Sequence, residues 1–197
     1  MKLTNADLPK LKDAIARAEA RTAAELVVVV RAHSGRYADV HAVFGATGAA
    51  LGLAFVLFSP WDFDELHVIP LTIGFAAVAL LVSTLLVPRF LFRRRATAQV
   101  EEAAQAAFTR HGVYRTADRV GVLLYLSHAE VAGRLLLDSG VARAIPDDVR
   151  AAWRARLPLL QDATALIALI DEMGERLGGA LPRAADDENE LSDEVAA

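Results

Sequence analysis

Two long apolar segments most constrain what this chain can fold into. No charged residue occurs from Ala42 to Trp61 or from Ile69 to Val87. About 20 apolar residues in a helix span the roughly 30 Å hydrocarbon core of a bilayer. Two such helices, buried as the core of one small domain, would leave too little polar surface to cover them. The sequence therefore predicts an integral membrane protein with a transmembrane hairpin, its helices at about 42–61 and 69–87.

The arginines that flank these segments predict their orientation. Arg31 and Arg36 precede the first segment, and the connecting loop SPWDFDELH contains no Lys or Arg. Four arginines follow the second segment: Arg89, Arg93, Arg94 and Arg95. Short basic flanks of membrane helices are retained on the cytoplasmic side. We therefore expect both termini and the soluble domain to be cytoplasmic, at the plasma (inner) membrane.

Small residues recur four apart on the first apolar segment, Gly45 with Ala49 and Gly48 with Gly52. Such spacing allows the backbones of two membrane helices to approach closely. Glycine is also generally common in membrane helices. The pattern therefore either marks the face that packs on the second helix or reflects that general enrichment.

Outside the apolar segments, helix and strand patterns alternate. Helices are predicted at 5–20, 97–110, 146–157 and 161–177, and strands at 26–30, 121–127 and 131–138. The first strand, Leu26 to Val30, is a continuous apolar run, which is typical of a strand buried on both faces. A membrane hairpin returns the chain to the side it left, so this strand is expected to pair with segments after residue 95.

The predicted fold class is α/β, a small three-layer α/β/α domain interrupted by a two-helix transmembrane hairpin. The soluble domain is expected to comprise residues 1–40 and 93–183, with the hairpin at 41–90. Residues 184–197 are acidic and poor in apolar side chains, which predicts a disordered tail.

Charge and cysteine content exclude several functions. The formal net charge is −4, and six acids lie in the last twelve residues, so the remainder is close to neutral. A basic surface for nucleic acid is therefore not expected. The chain has no cysteine, which removes disulfides and thiolate catalysis from consideration.

Two acids at predicted strand ends are candidate metal ligands. Asp138 follows an apolar strand and precedes Ser139 and Gly140, and Glu25 stands directly before the first strand. Carboxylates that meet at one sheet end could bind Ca²⁺ or Mg²⁺, and no other cofactor is indicated. Alternatively, Asp138 hydrogen-bonds its own turn and Glu25 is a structural acid. The sequence leaves both interpretations open.

Nucleophilic catalysis finds little support in the sequence. Ser127 and His128 are adjacent, but neighbouring residues on a strand point to opposite faces and rarely hydrogen-bond each other. The histidines show no zinc-ligand spacing. A phosphate-binding loop and a dinucleotide fingerprint are both absent from the sequence.

Three fragments together resemble the TPM domain family, which is named for proteins of the thylakoid lumen, photosystem II repair and acetylcholine-receptor modulation. They are AEARTAAELVVVV (18–30), HGVYRTADRVGVLLYLS (111–127) and RLLLDSGV (134–141). The arrangement looks most like a bacterial subgroup in which two membrane helices interrupt the domain after its first strand.

The resemblance carries expectations about function. Plant members of the family are associated with acid phosphatase activity, calcium binding and repair of membrane complexes, and the animal member looks like an auxiliary receptor subunit. Together with the missing catalytic signatures, this favours a non-enzymatic accessory or assembly factor that contacts other membrane proteins. The alternative is a divalent-metal-dependent phosphatase that uses Asp138 and Glu25.

Overall fold

The computed structural model of the protein describes residues 4, 6–34, 38–61, 63–86, 93–160 and 162–184, with the backbone alone for 93–96. Nearly all of the predicted acidic tail lies outside the described residues, as do Arg36 and Arg89. The chain divides into two compact units. Unit 1 comprises the described residues of Met1–Ser34 and Thr97–Ala197, and unit 2 those of Gly35–Ala96.

The elements follow one another in a mixed α/β order. They are α1 (Asp7–Glu19), β1 (Glu25–Arg31), α2 (Ala38–Phe58), α3 (Glu65–Leu86), α4 (Arg93–Arg110), β2 (Gly121–Ser127), β3 (Ala132–Leu137), α5 (Ser139–Ala144), α6 (Asp147–Arg156) and α7 (Ala163–Ala180). Short 3₁₀ turns lie at Val113–Arg115 and Leu157–Leu159. The predicted α/β class is confirmed.

One three-stranded sheet, in the order β1-β2-β3, organises unit 1. β1 and β2 are parallel, with Val28 opposite Leu124, and β2 and β3 are antiparallel, with Leu123 opposite Leu136. The prediction that the first strand pairs with a segment beyond the apolar hairpin is therefore confirmed. The pairing also supplies partners for the buried backbone groups of β1.

Both faces of the sheet are apolar and buried, as the continuous apolar run in β1 predicts. Leu26, Val28 and Val30 contribute to a cluster with residues of α1, α6 and α7. Val27 and Val29 contribute to a second cluster, with residues of α4. This alternation follows from the two-residue period of a strand.

Several element boundaries differ from the sequence-based prediction. α2 and α3 begin four residues before the predicted positions 42 and 69. Their first turns include the charged residues Asp39 and Glu65, which lie outside the uncharged segments. An acid there interacts favourably with the helix dipole, so charge does not prevent helix formation. Ser139 and Gly140, expected to form a flexible turn, instead begin α5.

Unit 2 consists of α2 and α3 packed along a face of small residues. Gly48 and Gly52 are buried, and a Cβ atom at Gly48 would lie 2.5 Å from the Cβ of Ala79. His41 Nδ1 and Ser83 Oγ lie 2.7 Å apart across the same pair of helices. Gly48 and Gly52 therefore pack on the second helix, as one of the two interpretations of their spacing predicted.

The remaining surface of α2 and α3 is largely apolar and exposed within the described chain. Only 17% of the most apolar window of α2 is buried, and only 6% of that of α3. The core helix of a soluble protein would instead be mostly buried. By length and composition, both helices are able to cross a membrane.

Candidate functional site

The two candidate metal ligands lie at the same end of the sheet, on either side of Gly121. Glu25 is the register partner of Gly121, and the backbone N–H of Asp138 donates to the Gly121 carbonyl at 2.9 Å. Strand alternation directs Glu25 and Asp138 to the sheet face that packs on α4. One strand separates them, so their backbones are about 10 Å apart. Both residues are buried, with 6% and 8% of their surface exposed.

The 3₁₀ turn at Val113–Arg115 packs on Gly121, the sheet position between Glu25 and Asp138. A Cβ atom on Gly121 would overlap the carbonyl oxygen and side chain of Val113. Glycine is thus required here for close approach of two backbones. Val113 is itself fully buried. The Val113 backbone therefore lies directly over the position that separates Glu25 from Asp138.

Asp138 has two structural roles in this arrangement. Its Oδ1 accepts a hydrogen bond from the Ser139 backbone N–H at 2.6 Å and caps α5. Its Oδ2 lies 3.6 Å from the guanidinium of Arg119. Arg119 has a φ of 58° and closes the loop that leads into β2. Both oxygens of Asp138 thus face donors or positive charge supplied by unit 1.

A cation at this sheet end would have to compete with the Arg119 guanidinium. Within the described ranges, no group of three or more His, Asp or Glu side chains is arranged to hold a metal. Calcium sites use six to eight oxygen ligands, of which Glu25 and Asp138 would supply two to four. The shared cation site at Glu25 and Asp138 stays a prediction. The contacts of Asp138 favour the alternative of a turn residue.

A second polar cluster, which we call the Ser34 cluster, lies at the opposite end of the sheet. It consists of Ser34, Tyr125, Ser127 and Glu130. The Ser34 hydroxyl lies 2.7 Å from that of Tyr125 and donates to Ser127 Oγ at 2.8 Å. The Ser127 hydroxyl donates to a carboxylate oxygen of Glu130. Glu130 also accepts the Ser34 backbone N–H, at 3.1 and 3.2 Å.

One assignment of the protons satisfies every hydroxyl in the Ser34 cluster. Each hydroxyl carries one proton, so Tyr125 donates to Ser34, Ser34 to Ser127, and Ser127 to Glu130. The chain of hydrogen bonds ends at the Glu130 carboxylate, so its last hydrogen bond is charge-assisted. Ser127 is only 4% exposed, so a substrate cannot easily reach its oxygen. The geometry fits a tie that holds the end of β1 to the β2–β3 turn, rather than an activated nucleophile.

Most of the Ser34 cluster is not predictable from local sequence. Sequence pairs Ser127 only with its neighbour His128, whereas the Ser127 hydroxyl bonds to Ser34 and Glu130. Ser34 and Glu130 are 96 residues apart in sequence, so no local spacing connects them. The parallel register of β1 and β2, which places Arg31 opposite Ser127, is the signal that would have found them.

Comparison with known proteins extends the description of the fold. No protein-family profile matches the chain, and no curated protein matches it. A solved structure, the NMR structure of BA42 protein from the psychrophilic bacterium Bizionia argentinensis, is similar with a TM-score of 0.59 at 17% identity. The match covers 100% of this chain and 95% of BA42. A likeness at this identity concerns the fold alone.

Proposed function

We propose that this chain is a membrane-anchored accessory protein of the TPM type, with α2 and α3 in the bilayer and unit 1 at its cytoplasmic face. The observation that carries the proposal is the location of exposed apolar surface. Most of the large exposed apolar side chains among the described residues belong to α2 and α3. The acids that an enzyme would need, Glu25 and Asp138, are buried. Apolar exposure of this extent marks a lipid or protein contact surface.

Three features of unit 1 support the TPM assignment. The fragments that resemble the family coincide with structured elements, namely the end of α1 with β1, then β2, then β3 with α5. A separate apolar cluster on each face of the sheet supports a three-layer α/β/α domain. The strand that precedes the apolar hairpin pairs with one that follows it. A domain interrupted by a membrane hairpin requires this pairing.

The proposed orientation follows from the flanking charge, and the aromatic residues at the α2–α3 turn suit a position at either membrane interface. Trp61 and Phe63 contact each other and Phe55 edge-on or tilted, with ring centroids 5.8–6.4 Å apart. Tryptophan and other aromatic rings are favoured at membrane interfaces. The chain has no cysteine, so single cysteines can be introduced cleanly. On intact cells, an impermeant maleimide should label Ser59→Cys and spare Ser192→Cys, and the reverse pattern would refute the orientation.

A groove between α2 and α3 is the surface we assign to a membrane-protein partner. It encloses about 410 Å³ and is lined by apolar side chains together with Thr47. Leu51 lies in the groove and Leu53 outside it, with 59% and 43% of their surfaces exposed. A photo-crosslinking amino acid at position 51 should capture a discrete protein, identified by mass spectrometry, whereas one at the control position 53 should capture lipid. Capture of lipid alone at both positions would contradict the accessory role.

The divalent-metal-dependent phosphatase is the second candidate, supported by the common sheet end of Glu25 and Asp138. We expect the purified protein to show no phosphatase activity that depends on Ca²⁺ or Mg²⁺. Such an activity in the wild type, lost in both Glu25→Gln and Asp138→Asn while the fold is retained, would establish the enzyme instead. Lys12→Gln, a change of an exposed side chain on α1, is the matched control.

A further inference from the structure

We propose that the Ser34 end of unit 1 rests on the lipid surface of the membrane, with Val131 and Leu159 inserted among the headgroups. The proposal rests on the proposed insertion of α2 and α3 into that membrane. It adds a second contact of the protein with lipid, made by the folded domain itself. Its occupant is the interface of a bilayer, and not another protein.

Exposed apolar side chains give the first argument. Among the described residues of unit 1, the large apolar side chains that stand out to solvent are Val131, at 58% exposure, and Leu159, at 73%. Val131 lines a small cleft together with Pro158 and Leu160, the two neighbours of Leu159. Leu159 does not line the cleft itself, but both of its neighbours do, so its backbone lies beside the cleft although Leu159 is 28 residues beyond Val131 in sequence.

The backbone of Val131 gives the second argument. Its φ is 49°, in the left-handed region that a β-branched residue rarely adopts. Left-handed backbone is unfavourable for a residue with a Cβ atom, and glycine or asparagine would avoid most of that cost. A strained and exposed valine contributes little to a domain in water. Transfer of its side chain into an apolar environment would offset the strain.

Chain connectivity gives the third argument. Ser34 bonds directly to Glu130, the neighbour of Val131. α2 begins at Ala38, four peptide units after Ser34. Consecutive Cα atoms are 3.8 Å apart, so the four peptide units of this linker span at most about 15 Å. The headgroup layer is about 5–8 Å deep on each side, so the Ser34 end is tethered within reach of it.

Charge supports a lipid occupant. Arg31 ends β1 at the same end of the sheet, where it is the register partner of Ser127. Arg154 is exposed in the last turn of α6, directly before the 3₁₀ turn that carries Leu159. Basic side chains close to an anionic membrane surface are attracted to it. Apolar side chains with basic neighbours are the composition that anionic bilayer surfaces bind, and the neighbouring Glu130 carboxylate is engaged by hydrogen bonds inside the Ser34 cluster.

Site-specific fluorescence in vesicles of phosphatidylcholine and phosphatidylglycerol tests the proposal. Full-length variants Val131→Cys and Leu159→Cys carry an environment-sensitive fluorophore. Asp118→Cys, which is exposed in the loop before β2 at the other end of the sheet, is the control in water. Leu81→Cys, 62% exposed in the C-terminal half of α3, is the control for insertion. Circular dichroism checks that each variant retains its fold.

Labels at 131 and 159 should show blue-shifted emission, quenching by lipids spin-labelled near the headgroup, and protection from iodide. The label at 118 should show none of these. Water-like emission at 131 and 159 with an apolar, lipid-quenched label at 81 would overturn the docking and leave the proposed insertion intact. Blue-shifted emission at 131 and 159 without quenching by the spin-labelled lipids would overturn the docking on lipid and indicate a contact with protein. A water-exposed label at 81 would overturn the insertion of the hairpin itself.

Discussion

Replacement of Asp138 separates a structural role from a cation site, because the structure predicts different costs for two substitutions. Asp138→Ala removes the oxygen that caps α5 and the negative charge beside Arg119. The lost cap costs about 0.5–2 kcal/mol. The pair with Arg119, whose side chain is 52% exposed, contributes at most about 1 kcal/mol. We therefore expect Asp138→Ala to lower the free energy of unfolding by about 0.5–3 kcal/mol.

Asp138→Asn should be milder, at about 1 kcal/mol or less. Asparagine caps helices as well as aspartate does, so only the interaction with Arg119 is lost. Denaturant titration of the full-length protein in detergent measures both variants. Trp153 is fully buried in unit 1 and reports its unfolding, and a Trp61→Phe background removes the signal of the second tryptophan.

The same titrations test the cation interpretation. Binding of Ca²⁺ at a hundredfold excess over its Kd would stabilise the folded protein by about 2.7 kcal/mol. If Asp138 is a structural residue, millimolar Ca²⁺ should leave the wild type and Asp138→Asn unchanged. Stabilisation of the wild type that is absent in Asp138→Asn would refute the structural reasoning. Equal losses in the alanine and asparagine variants would refute the assignment of the cap.

Four further outcomes are expected. The Arg156 guanidinium, hydrogen-bonded to Glu172, lowers the pKa of that carboxyl below its ordinary value of 4.5. The ionised Glu172 carboxylate therefore stabilises the folded protein above about pH 4.5, and this stabilisation is lost as the pH falls through the folded pKa. Arg156→Gln should reduce this acid dependence of the free energy of unfolding in denaturant titrations. Gly121→Ala should cost about 1–3 kcal/mol or more by the same assay, because its Cβ would overlap the backbone of the preceding 3₁₀ turn. Gly179→Ala, whose Cβ meets nothing within 4 Å, should be neutral or stabilising by up to about 1 kcal/mol. Gly48→Leu should separate α2 from α3 and lower the thermal midpoint of the hairpin in detergent.

Elements with a strong pattern were predictable from sequence. The apolar run of β1 predicted both its strand conformation and its burial on two faces, because each side chain along it is apolar. α5 was missed, since six residues are too few to show a helical period and Gly140 suggested a turn. The ends of α2 and α3 were misplaced because the limits of apolar composition were taken as the limits of the helices.

The candidate site was predictable only where strand direction determines it. A parallel β1–β2 pair and an antiparallel β2–β3 pair necessarily bring Glu25 and Asp138 to one end of the sheet. The neighbours of these acids depend on loops whose paths have no sequence period. Arg119 contacts Asp138 from a loop in which Arg119 itself has a positive φ. The 3₁₀ turn covers Gly121 because a glycine leaves room for it. Neither contact can be derived from residue spacing.

The pairing of β1 with β2 also has a consequence for synthesis of the protein. β1 leaves the ribosome before α2 and α3, and its partner strand leaves only after them. Until then an apolar strand has an unpaired edge, which is the kind of segment that aggregates or recruits chaperones. The sheet can therefore close only after the hairpin has been made. Completion of unit 1 thus depends on a strand that is separated from β1 by the whole hairpin, so β1 stays unpaired for as long as the hairpin is being synthesised.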